Sequence, residues 1–308
     1  MASTISKSLS RVTVALKSAA SDGFPVTAPF LECIVRYFEP REHFVTVKCS
    51  YQDNLLTLCG PMTDTEHHDD GCSGTHDSTV VLQHSEECPF ANICERDAAL
   101  VRQDEIERGV AVGVSVVLES SDNRILMTRR ASHLRTYPNA WVPPGGHMDL
   151  NESIVQAGLR ELEEETGIHL EESSTALKVL CLWEAVYPVL LGLGPPKRHY
   201  VVVYLHAIVD KPWQDIHQSI KLDPEEVKAC TWLTPEIVSL LLIGDKEKLG
   251  THHSFVVGDD KSLQPCPLEL KSMFSYLLWK EGKVYSGSQL ALTKWMEIVN
   301  SRSPPSKM

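Results

Sequence analysis

The chain has 308 residues, 43% hydrophobic and 23% charged, with a formal net charge of −12. That balance describes a globular chain of one or two domains and excludes a disordered or fibrous one. The negative charge argues against a broad basic surface for duplex nucleic acid, while leaving recognition of a nucleotide end open.

In chain order, residues 1–21 carry Lys7, Arg11 and Lys17, several serines and no acid. This is a faint transit-peptide composition, against which an ordinary N-terminal segment is the simpler reading. "FVTVKCSYQDNLLTLCG" alternates as strand, turn, strand. "MTDTEHHDDGCSGTHDST" reads as a polar loop, and "CERDAALVRQDEIERG" as a helix or charged linker ending at Gly109. Residues 1–107 thus form an N-terminal region of unread function with strand content.

From Val110 the texture changes. "VAVGVSVVLES" and "ILMTRRA" flank the turn "SDNR" and predict a hairpin. The Pro/Gly loop "WVPPGGHMD" leads into an acidic helix. "ALKVLCLWEAVYP", "RHYVVVYLHAIV" and "EVKACTWL" read as further strands. "TPEIVSLLLI" reads as a helix with Thr234 as N-cap and Pro235 at its first position. This mixture predicts an α/β or α+β fold over 108–245. Residues 246–308 form a C-terminal extension, in which "SGSQLALTKWMEIVN" predicts a helix burying Leu290, Trp295 and Ile298 or Val299. The "SPPSKM" end reads as disordered.

Nine cysteines, an odd number without a CxxC, argue against a disulfide framework and for a reducing compartment. Cys72, His76, His84, Cys88 and Cys94 form a conceivable zinc set, but their spacing fits no common zinc pattern. No apolar run approaches the roughly 20 residues of a membrane span. The terminal "SKM" is one residue from the peroxisomal S-K-L address. Cytoplasm is the expected compartment, with peroxisome and mitochondrion as alternatives. Oligomeric state is left open.

The acidic helix carries the chemistry. Asn151 is a suitable N-cap and Gly167 a suitable C′ residue, predicting a helix over about 152–166 with Val155, Leu159 and Leu162 inward. Glu161, Glu164 and Glu165 are three and four apart, so their carboxylates converge on one patch. An isolated acidic run is most often a solvated face. Here the run follows Pro-Pro-Gly-Gly, whose backbone can approach a bound ion closely. Oxygen ligands suit Mg²⁺ or Mn²⁺, which share their shell with substrate phosphates. The chemistry expected is attack of an activated water on phosphorus.

Gly146, Glu152, Arg160-Glu161-Leu162, Glu164-Glu165 and Gly167-Ile168 fill every defining position of a Nudix box over 23 residues, and the chain resembles the Nudix hydrolases over about 110–245. The resemblance implies an α/β/α sandwich around a mixed sheet and hydrolysis of a nucleoside diphosphate linked to another moiety. It makes Glu161, Glu164 and Glu165 metal ligands, Glu161 also a candidate base, and the Gly145 carbonyl a further ligand. Arg160 and Glu152 become an orienting ion pair. Flanking segments including "PNAWVPPGGHMDL", "LWEAVYP", "CTWLTP" and "CPFA" resemble the branch of the family that acts on 7-methylguanosine-capped RNA. That branch implies release of 7-methyl-GDP, with the capped 5′ end or another nucleotide as partner. The alternatives are hydrolysis of NADH or another dinucleotide, of ADP-ribose or of coenzyme A, or a Nudix-fold binding protein without catalysis. Against the NADH branch stand the absent "SQPWPFPxS" signature and the lack of any CxxC.

Weaker candidates for substrate contact are Arg129 and Arg130 at a strand end, His147 after the glycines, and Glu226 before Trp232. Glu184, Tyr187, His199 and Tyr200, with Trp183, are candidates for a base pocket, and Trp141 and Trp232 for the core.

Overall fold

The computed structural model describes residues 11–20, 23–62, 77–245, 247–258, 262–273 and 283–302. Cys72, His76, most of the polar loop before Asp77 and the SKM end lie outside these residues. The elements follow in chain order as β1 (Thr13–Ser18), β2 (Val26–Thr27), α1 (Ile34–Phe38), β3 (Phe44–Gln52), β4 (Leu55–Gly60), β5 (Asp77–His84), α2 (Pro89–Asn92), α3 (Glu95–Ala98) and α4 (Gln103–Ile106). Next come β6 (Ala111–Ser120), β7 (Ile125–Arg130), β8 (Trp141–Val142), β9 (Gly145–His147), α5 (Ile154–Thr166), β10 (Ala176–Tyr187) and β11 (Arg198–Val209). The chain continues through α6 (Trp213–His217), β12 (Val227–Leu233), α7 (Pro235–Ile243), β13 (Thr251–Val257), β14 (Leu263–Glu269) and α8 (Ser286–Arg302). Mixed sheet with helices on both sides is the α/β arrangement expected.

Two compact units interleave along the chain. Their limits do not follow the chain-order boundaries 107/108 and 245/246. The first gathers the described residues up to Val114 with His147–Ala157 and Leu182–Val203. Its strands hydrogen-bond in the order β10-β5-β3-β4-β1-β2. The β1–β4 and β5–β10 pairs are parallel, the others antiparallel. In β3 and β4 alternate residues are buried, Val45, Val47 and Cys49 against Leu56 and Leu58, the pattern of strands with one covered face. Asp53 and Asn54 join them, both at positive φ, as a two-residue turn matched to strand twist requires. Thr13–Ser18, within the stretch with transit-peptide composition, is a paired strand.

The second unit comprises Ser115–Gly146, Gly158–Cys181 and the described residues from Tyr204 onward. Its strand order is β14-β13-β12-β7-β6-β11. β12 pairs antiparallel with both β7 and β13. Trp232 and Trp141 are core residues. Thr234 caps α7, accepting from Ile237 N–H, and Trp295 is fully buried on α8 with Val299, rather than Ile298, beside it. The extension after residue 245 contributes the β13/β14 hairpin as well as the expected helix. Pro265 and Pro267 sit in β14, the outer strand in this order, where a missing N–H costs least. Those prolines disguise the strand in the sequence.

Candidate metal and phosphate site

Helix α5 begins later than its sequence suggests. Asn151 is in a left-handed conformation (φ 66°) and its N–H donates to Asn54 Oδ1 at 2.7 Å. Ser153 is the cap instead. Its Oγ accepts from Gln156 N–H (3.1 Å), and Gln156 Oε1 accepts from Ser153 N–H (2.8 Å). This is a reciprocal capping box. At the other end Gly167 adopts φ 71° and its N–H reaches Glu163 O at 2.7 Å. A side chain there would also meet the Lys221 backbone at 3.2 Å.

That register buries Val155, Ala157 and Leu162, while Leu159 is only half-buried. It also turns Glu161 and Glu165 inward, 8% and 3% exposed, and leaves Glu164 outside. The three carboxylates therefore do not share one exposed patch, as their spacing suggested. Arg160 ties the inner and outer groups together, donating from Nη1 to Glu161 Oε1 (3.0 Å) and Glu164 Oε2 (2.9 Å). Glu152 accepts the N–H of Asp149.

The Pro-Pro-Gly-Gly loop is pinned by Ser115, whose Oγ donates to Pro143 O (3.0 Å) and Pro144 O (3.3 Å), and by Val116 N–H on Pro144 O (2.8 Å). Two consequences reach the carboxylates. Gly145 N–H donates to Glu165 Oε2 at 3.3 Å. Gly146 lies so close that an added Cβ would stand 2.4–2.6 Å from the Glu161 carboxylate. Only glycine leaves that carboxylate its place.

A second loop closes on the end of α5. Lys221 N–H donates to Thr166 O (2.7 Å) and Asp223 N–H to Glu165 O (3.1 Å), while Ala131 N–H holds Glu226 O (2.8 Å). Glu226 is exposed, yet its charge acts on both Glu161 and Glu165. The structure brings together Glu161, Glu164, Glu165, Glu226, Gly145 and Arg130. Arg130 eases the ionisation of Glu165. Its strand neighbour Arg129 instead reaches Asn139 Oδ1 at 3.5 Å, consistent with alternation placing the two on opposite faces.

Burial pushes Glu165 up to about 8; Arg130 and the Gly145 N–H oppose it, and Glu161 and Glu226 add to it. Burial likewise raises Glu161 against the help of Arg160. Two inward carboxylates held above their ordinary range beside a glycine cradle form an all-oxygen donor set short of positive charge. A small hard dication fits it. Metal would also favour the ionised form of both groups.

His147 is exposed, with its ring 5.5 Å from that of Tyr200. In the first unit it lines a cavity of about 330 Å³ with Phe30, Arg108, Arg198, His199 and Tyr200. Arg108 and Arg198 went unnoticed in the sequence, where no pattern marks them. Glu184, a base-pocket candidate, is fully buried and holds α1 through Ile34 N–H (2.8 Å) and Val35 N–H (3.0 Å).

An ordered glycine loop, a capped helix and inward glutamates at these offsets define a metal-dependent hydrolase of phosphate linkages. Residues 109–253 match the NUDIX domain, and the chain belongs to the Nudix family. It is 39% identical to m7GpppN-mRNA hydrolase NUDT17 of Danio rerio over 227 residues, covering 72% of this chain and 71% of the relative. The Xenopus laevis protein of that name is 35% identical over 76% of this chain and 81% of its own length. The Homo sapiens protein is 35% identical over 73% of each. Nudix hydrolases use divalent metal ions.

Proposed function

We propose that this hydrolase cleaves the diphosphate linkage of 7-methylguanosine-capped RNA, releasing 7-methyl-GDP, with Mg²⁺ or Mn²⁺ as its ion. The under-compensated pair Glu161 and Glu165 is the observation that carries the metal-dependent chemistry. The substrate rests on the named activity of the three vertebrate relatives, whose similarity runs through most of both chains.

Glu161, Glu165, Glu164 and the Gly145 carbonyl would hold the ion. When bound, it neutralises phosphate charge and lowers the pKa of water. The chain's own residues do the rest. Arg160 fixes the Glu161 and Glu164 carboxylates, so their oxygens stay aimed when the site is empty. Glu161 is the candidate base that takes the proton of the attacking water. Water adds to one phosphorus, the bridging P–O bond breaks, and the leaving phosphate keeps the electron pair. Arg130, whose charge acts on Glu165, adds a fixed positive charge to the site.

The test is a product assay with Mg²⁺ and then Mn²⁺ on capped RNA, NADH, ADP-ribose and coenzyme A in parallel, with Glu165→Gln as control. Release of 7-methyl-GDP from capped RNA, lost in the variant, is the expected result. Preferential cleavage of a small dinucleotide would overturn the substrate and leave the metal chemistry standing.

A further inference from the structure

The first unit contains a second cluster of ligand-type side chains, none of them in the Nudix box. Cys33, His84 and Cys88 are all buried, and one ligand atom from each lies within 4.8 Å of the other two. They come from three places in the chain: the cap of α1, the end of β5 and the cap of α2. Cys72 and His76 are outside the described residues, and Cys94 is exposed with its thiol on Asp97 at 3.2 Å. Cys33, 51 residues before His84, completes the cluster instead.

We infer that Cys33, His84 and Cys88 form a structural zinc site that ties α1, β5 and α2 together. Its first support is spacing. A tetrahedral Zn²⁺ with bonds of about 2.3 Å to sulfur and about 2.05 Å to nitrogen has a sulfur–nitrogen edge of about 3.6 Å. Cys33 Sγ and His84 Nδ1 are 3.5 Å apart. The corresponding sulfur–oxygen edge is about 3.5 Å, and Glu184 Oε2 stands 3.4 Å from Cys33 Sγ, making it the nearest candidate for the fourth place.

Its second support is how the sulfurs are held. Cys33 Sγ accepts Arg36 N–H at 3.5 Å, while in the second turn the Ala91 N–H goes to the Cys88 carbonyl at 3.1 Å and leaves the Cys88 sulfur to the cluster. A backbone donor aimed at sulfur favours thiolate, the form that binds metal. Neither cysteine is in a disulfide. The third support is the buried carboxylate beside the sulfur. Glu184 pairs with His199 Nε2 (3.0 Å), accepts the Ile34 and Val35 amides and lies against Cys33 Sγ, so a dication here would meet an oxygen ligand next to sulfur and imidazole. His84 meets the cluster through Nδ1, 3.5 Å from Cys33 Sγ. Thiolate and imidazole together select zinc over the hard ions suited to the box.

The test is metal analysis of the full chain, purified under reducing conditions and dialysed against a mild chelator. About one zinc per chain is expected, falling several-fold in Cys33→Ser, His84→Ala and Cys88→Ser. Glu165→Gln should retain the zinc while losing turnover, which separates this site from the box. Replacing zinc by Co²⁺ in the unmutated protein gives a readout that does not depend on the variants folding. A thiolate-to-cobalt charge-transfer band, with the intensity of two sulfurs, is expected. A folded protein that carries no zinc, a cobalt spectrum without that band, or recovery of a Cys33–Cys88 disulfide from the reduced preparation would each overturn the site.

Discussion

Glu119 and Glu184 are buried glutamates, and so are Glu161 and Glu165, yet the two pairs behave oppositely. Around Glu119 burial works against the charge, but His206 Nε2 (2.6 Å), Trp295 Nε1 (2.9 Å) and Arg302 Nη1 donate to it and hold it below the usual carboxylate range. Glu184 is held down in the same way by His199 Nε2 at 3.0 Å and two backbone amides. Glu161 and Glu165 meet the same desolvation with too few donors, and their pKa values rise. A buried charge with its partners built in is architecture. One whose partners fall short is a place prepared for a cation.

The largest effect should come from breaking the satisfied side. Glu119→Ala leaves the buried Trp295 Nε1–H and His206 Nε2 without their acceptor and should cost about 2–4 kcal/mol. Denaturant unfolding would read it, with limited proteolysis reporting release of α8. On the other side, Glu165→Gln should lower turnover more than about 100-fold, beyond the usual loss from a group supporting a metal ligand. It should not lower metal-free stability near neutral pH, because the amide replaces a carboxyl that burial already keeps mostly protonated. Gly146→Ala pushes a methyl into the Glu161 carboxylate and should reduce kcat by about 10–100-fold, with a smaller change in melting temperature.

The comparison also has a pH signature. Glu165 binds its proton more tightly folded than unfolded, so its contribution is fully present below the ordinary glutamate range. It is lost as pH rises through about 8. Metal-free melting temperature should therefore fall between about pH 5 and pH 8, and saturating Mg²⁺ should flatten that fall. Smallest is the cap: Ser153→Ala should cost about 1 kcal/mol, whereas capping by Asn151 would have left Ser153 dispensable.

Much of the chemistry was legible because it is local. Box spacing, glycine positions, the Thr234 cap and the β3–β4 turn all sit within a few residues of what they act on. Three things were not. Spacing alone put three glutamates on one patch, but the burial of Glu161 and Glu165 depends on which face of α5 the sheet covers. The Glu119–Trp295–Arg302 network joins residues 176 and 183 apart, beyond the reach of any periodicity. Cys33 gives no sign in the sequence of its meeting with His84 and Cys88, since the contact is made by folding.

Calorimetric titration of Mg²⁺ into chelated protein at pH 7, repeated in two buffers of different ionisation enthalpy, tests the central claim most directly. With Glu165 raised to about 8, Mg²⁺ should bind with release of a proton to the buffer. Glu165→Gln should bind more weakly and release fewer protons. Binding that moves no proton, or the same isotherm in both proteins, would contradict the assignment of this carboxylate pair as the seat of the ion.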